Sequence, residues 1–157
     1  MLMNFKDFAK ELSSYNPENL IFVGLGNELC GDDAAGLVFL DKLEEFPDFA
    51  GSCFITARTN PENYLQKILD SKGRVVVFID AARSGGKPGA ISWIDPHHID
   101  RLSISTHAFS LKMVELYLMN NRRFIFKYLG IEPLSTNKGD HLSSKILTHI
   151  TAFFTNG

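Results

Sequence analysis

Short apolar runs alternate with stretches of helical periodicity along most of the chain, and that alternation predicts the path of the backbone. Runs at 20–25, 53–57, 75–79, 90–94 and 124–129 predict five strands. Val75-Val76-Val77-Phe78-Ile79 shows no polar alternation, which suits a central strand covered on both faces. Segments 34–46, 61–69 and 107–119 carry apolar residues at helical spacing, and a last helix is predicted over about 142–154. At the start, 1–15 places Leu2, Phe5, Phe8, Leu12 and Tyr15 near a helical repeat with Lys6, Asp7, Lys10 and Glu11 between them, the pattern of an amphipathic surface helix. Strands alternating with helices predict an α/β fold, a three-layer α/β/α sandwich around a mainly parallel, five-stranded mixed sheet. No internal repeat, low-complexity tract or linker interrupts the pattern, so 1–157 reads as a single domain.

Composition narrows the range of functions. The chain has 157 residues, of which 45% are hydrophobic and 22% charged, enough apolar material for a real core. Sixteen Lys and Arg face eighteen Asp and Glu, a net charge of −2, and no element carries a basic run. Nucleic acid and anionic membrane are therefore disfavoured as partners. The first residues lack the basic start and long apolar run of a secretory signal, and no uninterrupted apolar run reaches roughly eighteen residues, so neither export nor membrane spanning is expected. Cys30 and Cys53 are too few for a disulfide framework. A cytoplasmic protein with reduced thiols is expected.

In α/β sheets, ligands gather where loops leave the carboxyl ends of strands. The first such loop reads Gly24-Leu25-Gly26-Asn27-Glu28-Leu29-Cys30-Gly31-Asp32-Asp33. A dinucleotide fingerprint would need glycine where Leu29 stands and a carboxylate at the end of the second strand, where the chain has Thr56-Ala57-Arg58. The two aspartates precede an apolar-periodic helix and cannot both cap it. Asp32 is expected to be the N-cap, leaving Asp33 to face the crevice. Asp80 directly continues the fully apolar third run, a place where a carboxylate is seldom idle. His107 follows Ser105-Thr106 and opens a predicted helix.

Asp33, Asp80 and His107 thus all fall at loop starts on one predicted sheet edge. Two carboxylates and an imidazole form an incomplete coordination sphere, able to hold a borderline divalent ion and leave room for water or substrate. Their separations of 47 and 27 residues match no local motif, so this reading depends on the fold. His97, His98, His141 and His149 read as solvated surface residues. Cys30 lies beside the acid pair and is a minor candidate ligand for a soft metal, and Cys53 reads as core. No G-x-S-x-G elbow is present.

These motifs, G-L-G-N-x-x-x-x-D-D-x-x-G after the first strand, I-D-A before a Gly-rich turn with P-G, and T-H at a helix start, resemble in order and spacing those of the hydrogenase maturation protease family. The resemblance spans about 20–154, with 1–15 as an extra N-terminal helix. Asn60-Pro61-Glu62-Asn63, Ile94-Asp95-Pro96 and Leu129-Gly130-Ile131-Glu132-Pro133 look most like the branch that serves formate-hydrogenlyase-type [NiFe] hydrogenases. The resemblance implies an endopeptidase, of a kind often classed with aspartic-type proteases, that removes the C-terminal extension of a hydrogenase large-subunit precursor after nickel insertion. It implies that Asp33, Asp80 and His107 are both the metal-recognising and the catalytic residues; a monomer is expected. Nickel would be recognised in the substrate, and zinc or cadmium could stand in for it in crystals. Ala34 stands where many members have glycine. Two alternatives remain open: a non-catalytic nickel-binding or chaperone module using the same three residues, and a peptidyl-tRNA hydrolase-like enzyme, which shares G-L-G-N but needs a basic face.

Overall fold

A computed structural model describes residues 2–101 and 107–156, without the side chains of 99–110. Five strands, β1 (Leu20–Leu25), β2 (Cys53–Arg58), β3 (Val75–Ala81), β4 (Ile91–Trp93) and β5 (Ile125–Ile131), form one sheet in the order β2-β1-β3-β5-β4. All neighbours are parallel except β4, which runs antiparallel to β5. The mixed, mainly parallel sheet is the predicted one. β3 continues past the apolar run through Asp80 and Ala81, because β5 extends far enough to pair Gly130 with Asp80 and Ile131 with Ala81.

The pleat sorts β1 and β3 between two cores. Leu20 and Phe22 of β1, with Val75, Val77 and Ile79 of β3, face helices α1 (Phe5–Glu11), α2 (Ala35–Glu44) and α5 (Ser144–Thr155). Ile21, Val23, Val76 and Phe78 face α3 (Leu65–Asp70) and α4 (His107–Asn121). Period-two alternation therefore exists in β3, but both faces are apolar and the sequence hides it.

α1 is shorter than its apolar repeat because Asn4 starts it. The Asn4 side chain accepts from the Asp7 amide and the Asp7 carboxylate accepts from the Asn4 amide, each at 3.0 Å, a reciprocal cap. Its inner face goes deeper than a surface helix would. Phe8 is 0% exposed, stacks on Trp93 at 5.3 Å and meets Phe39, Phe49 and Phe153 edge-on. No helix among the described residues is long and apolar enough to cross a membrane.

Strand order reverses at β1: its continuation β2 lies on one side and β3 on the other. Loops leaving the carboxyl ends of β1 and β3 therefore diverge and open a crevice between them. α4 ends at the opposite, amino edge, where the Arg122 guanidinium donates to the carbonyls of Leu69 and Gly73 at 2.9 and 2.8 Å. Its fifteen residues, about 22 Å of helix, run back from there toward the carboxyl edge, and the helix packs against residues 61–64, which follow β2.

Candidate functional site

The loop after β1 is built around two carboxylates that do different things. Residues Gly31–Ala34 form a 3-10 turn before α2, and α2 starts from Ala34 with no side-chain cap. Asp32 is therefore not the helix cap expected from sequence. The extra turn moves both aspartates away from the cap position, and Asp32 reaches across to the segment that follows β5. Its Oδ2 accepts from the amides of Leu134 and Ser135 and its Oδ1 from the amide of Ser143. Burial pushes the Asp32 carboxyl up, but the hydrogen bonds from Ser143, Ser135 and Leu134 outweigh it and hold the pKa below the ordinary aspartate value.

Asp33 turns the other way. Half-buried, it accepts from the Asn27 amide at 2.9 Å, which ties it to the G-L-G-N turn. Gly26, at φ +140°, has the Asp33 carbonyl 2.0 Å from where a Cβ would stand, so only glycine lets the chain fold back this closely.

Asp80 lies across the crevice at the end of β3 and is 4% exposed. Its Oδ1 accepts from the Ala81 amide at 2.8 Å, and its Oδ2 is buried without a hydrogen-bond partner among the described residues. Burial and the negative charge of Asp33 together raise its pKa well above the usual aspartate value. The two acids predicted from sequence are thus close enough to repel. A buried carboxylate oxygen with no partner among the described residues, within reach of a second carboxylate's charge, is a place that a cation or a proton would stabilise.

Gly36 sets the spacing. A Cβ there would stand 2.5 Å from the Ile79 carbonyl, 2.7 Å from that of Leu25 and 2.9 Å from the Asp80 Cα. α2 therefore rests its backbone directly on the ends of β1 and β3. Gly36→Ala is expected to destabilise the protein by about 1–3 kcal/mol through overpacking, read as a lower urea midpoint. An unchanged midpoint would mean that α2 stands further from the strands.

His107 begins α4, and its side chain lies outside the described residues. Among the described residues no three His, Cys, Asp or Glu side chains converge as a metal set, so Cys30 does not complete one with the two acids. His97, His98 and His141 are exposed as expected. His149 is half-buried because its ring packs over Gly89, where a Cβ would come within 2.4 Å. Cys53 is half-buried rather than core.

Sequence reasoning gave no role to Glu132, which is 5% exposed at the end of β5. Its Oε1 accepts from the amides of Ser84 and Gly86 at 2.9 and 2.8 Å and from the Ser84 hydroxyl at 3.2 Å. It organises the Gly-rich loop that follows Asp80. Beyond its place in the stretch 129–133 that carries the resemblance, its sequence signal is an acid continuing an apolar strand, the same signal that marked Asp80.

Fold and acid pair together define a class, an open α/β protein whose candidate site is a carboxylate pair at the switch point of its sheet. The family model described as hydrogenase maturation protease matches residues 39–154, a span that includes Asp80 and His107 and begins beyond Asp33. A Methanocaldococcus jannaschii protein whose name places it in that family is 30% identical over 125 residues, 75% of this chain and 74% of its own length. The hydrogenase 3 maturation protease of Escherichia coli K12 is 28% identical over 114 residues, 72% of each chain. The crystal structure of the [NiFe] hydrogenase maturation protease HycI from Thermococcus kodakarensis superposes with a TM-score of 0.76 at 28% identity, covering 91% of this chain and 90% of that one. The chain belongs to the hydrogenase maturation protease family, and with it to the endopeptidases.

Proposed function

We propose that this chain cleaves the C-terminal extension from the large-subunit precursor of a [NiFe] hydrogenase once nickel is in place, and that Asp33, Asp80 and His107 recognise that nickel. The observation that carries the reading is the Asp80 Oδ2, buried without a partner among the described residues and within reach of the charge of Asp33. A divalent cation carried in by the substrate relieves both the repulsion and the missing bond, and a metal-free precursor offers neither. Binding energy gained only from the loaded precursor then positions the scissile bond. His107, at the head of the helix that reaches the same edge, supplies the third group. Likeness to the hydrogenase 3 maturation protease supports a hydrogenase precursor as substrate, and the motifs at 60–63, 94–96 and 129–133 favour one of the formate-hydrogenlyase type.

The direct experiment incubates the protein with nickel-loaded and nickel-free precursor and measures the mass of the product. A discrete C-terminal loss from the loaded precursor alone is expected, and Asp33→Asn and His107→Ala should abolish it in folded protein. Equal trimming of both precursors removes nickel recognition. Metal uptake without any cut makes the protein a carrier.

A further inference from the structure

Asp32 is adjacent to Asp33, yet its carboxylate is closed to any ligand. It is 0% exposed. Four donors converge on it: the amides of Leu134 at 2.9 Å, Ser135 at 3.0 Å and Ser143 at 2.7 Å, and the Ser143 hydroxyl at 3.0 Å. Backbone bonds reinforce the junction. The Asp32 amide donates to the Ser135 carbonyl at 2.7 Å, Gly31 to Asp140 at 3.0 Å, and Gly139 to Leu29 at 2.7 Å. The loop 27–33 and the segment 134–143 are thus joined on both sides of Asp32.

An ionised carboxylate is the side chain that fits this junction, because only acceptors can meet four converging donors. An asparagine would turn an N–H toward at least one main-chain N–H. Asp33 has the opposite setting: it is half-buried, on the crevice side, and bonded to the Asn27 amide within its own loop. The direction in which Asp33 points is fixed by the backbone of 31–33, and that backbone is held from behind by Asp32.

We propose that Asp32 is a positioning residue for the site, its anion anchoring the loop so that Asp33 is aimed at Asp80. Its effect on catalysis rests on the function proposed above; its effect on the pose of Asp33 does not. The Asn27 amide reports that pose, since it donates to the Asp33 carboxylate and makes no contact with the Asp32 clamp.

The test compares Asp32→Asn, Ser143→Ala and Ser143→Thr in the full chain, well below their melting temperatures. Amide exchange at Asn27 is read by NMR, Ni2+ affinity by calorimetry, and precursor cleavage by its kcat and KM. Asp32→Asn is expected to speed Asn27 exchange at least tenfold, to weaken Ni2+ binding and to lower kcat more than it changes KM. Ser143→Ala shifts all three in the same direction by less, and Ser143→Thr, which keeps the hydroxyl, restores them. If Asp32→Asn does not fold, Ser143→Ala and its threonine counterpart decide. A drop in melting temperature with Asn27 exchange at the wild-type rate overturns the proposal, since a purely structural clamp disturbs only 134, 135 and 143. Asp33→Asn is the control for the site itself. If it leaves Ni2+ affinity and cleavage at wild-type levels, the functional reading fails, while Asn27 exchange still decides the role of Asp32.

Discussion

Asp80→Asn is expected to make the protein more stable near neutral pH while lowering precursor cleavage by ~10²–10⁴-fold, the range for losing a group that manages protons or charge in a transition state. The two effects share one cause. Asp80 is buried, its Oδ2 has no partner among the described residues, and burial with the Asp33 charge raises its pKa. In the unfolded chain the same carboxyl ionises near the ordinary value of about 4. Between that value and the raised one, the folded protein binds more protons than the unfolded chain, so stability falls as pH rises through the window. Asparagine keeps the carbonyl that accepts from Ala81 and has no proton to lose, so it abolishes that penalty. Thermal melts at pH 5 and pH 8 check the sign: the wild type should lose stability between them relative to Asp80→Asn. Asp32 works oppositely. Its lowered pKa gives stability that is present above the unfolded value and lost as pH falls through the folded one. An Asp80→Asn protein that is less stable and fully active would remove Asp80 from the site.

Phe8→Ala is expected to cost about 3–5 kcal/mol, as for other fully buried aromatic truncations. Total stabilities of small proteins are about 5–15 kcal/mol, so the variant should approach unfolding at physiological temperature. The ring is sealed and stacks on Trp93 at 5.3 Å, with Phe22 at 6.3 Å and Phe39 at 5.8 Å around it. It bridges α1 to β4, β1 and α2. Urea denaturation measures the loss. A change under about 1 kcal/mol, ordinary for surface substitutions, would show that the first helix only decorates the sheet.

How far the sequence reveals this molecule depends on the range over which each signal acts. The five strands were legible because apolar runs are local, and β3 stood out by lacking alternation. Its extension through Asp80 was not legible, since a partner strand fixes it. Asp80 itself was found because an acid ending an apolar run is a local contradiction. Phe8 was legible as apolar but not as the centre of an aromatic cluster, because its neighbours come from five other elements. Asp32 looked like a cap because capping is the local use of an aspartate before a helix. Its actual donors lie 102 to 111 residues away. The Glu132 partners lie 46 to 48 residues back. No periodicity encodes such pairings.

Five of the donors gripped by Asp32 and Glu132 belong to the main chain: the amides of 134, 135 and 143, and those of 84 and 86. Side-chain identity at 86, 134 and 135 is thus left free, provided none becomes proline, whereas Ser84 and Ser143 also give their hydroxyls. The turns that follow β3 and β5 can therefore vary part of their chemical surface without losing the main-chain bonds that hold their shape.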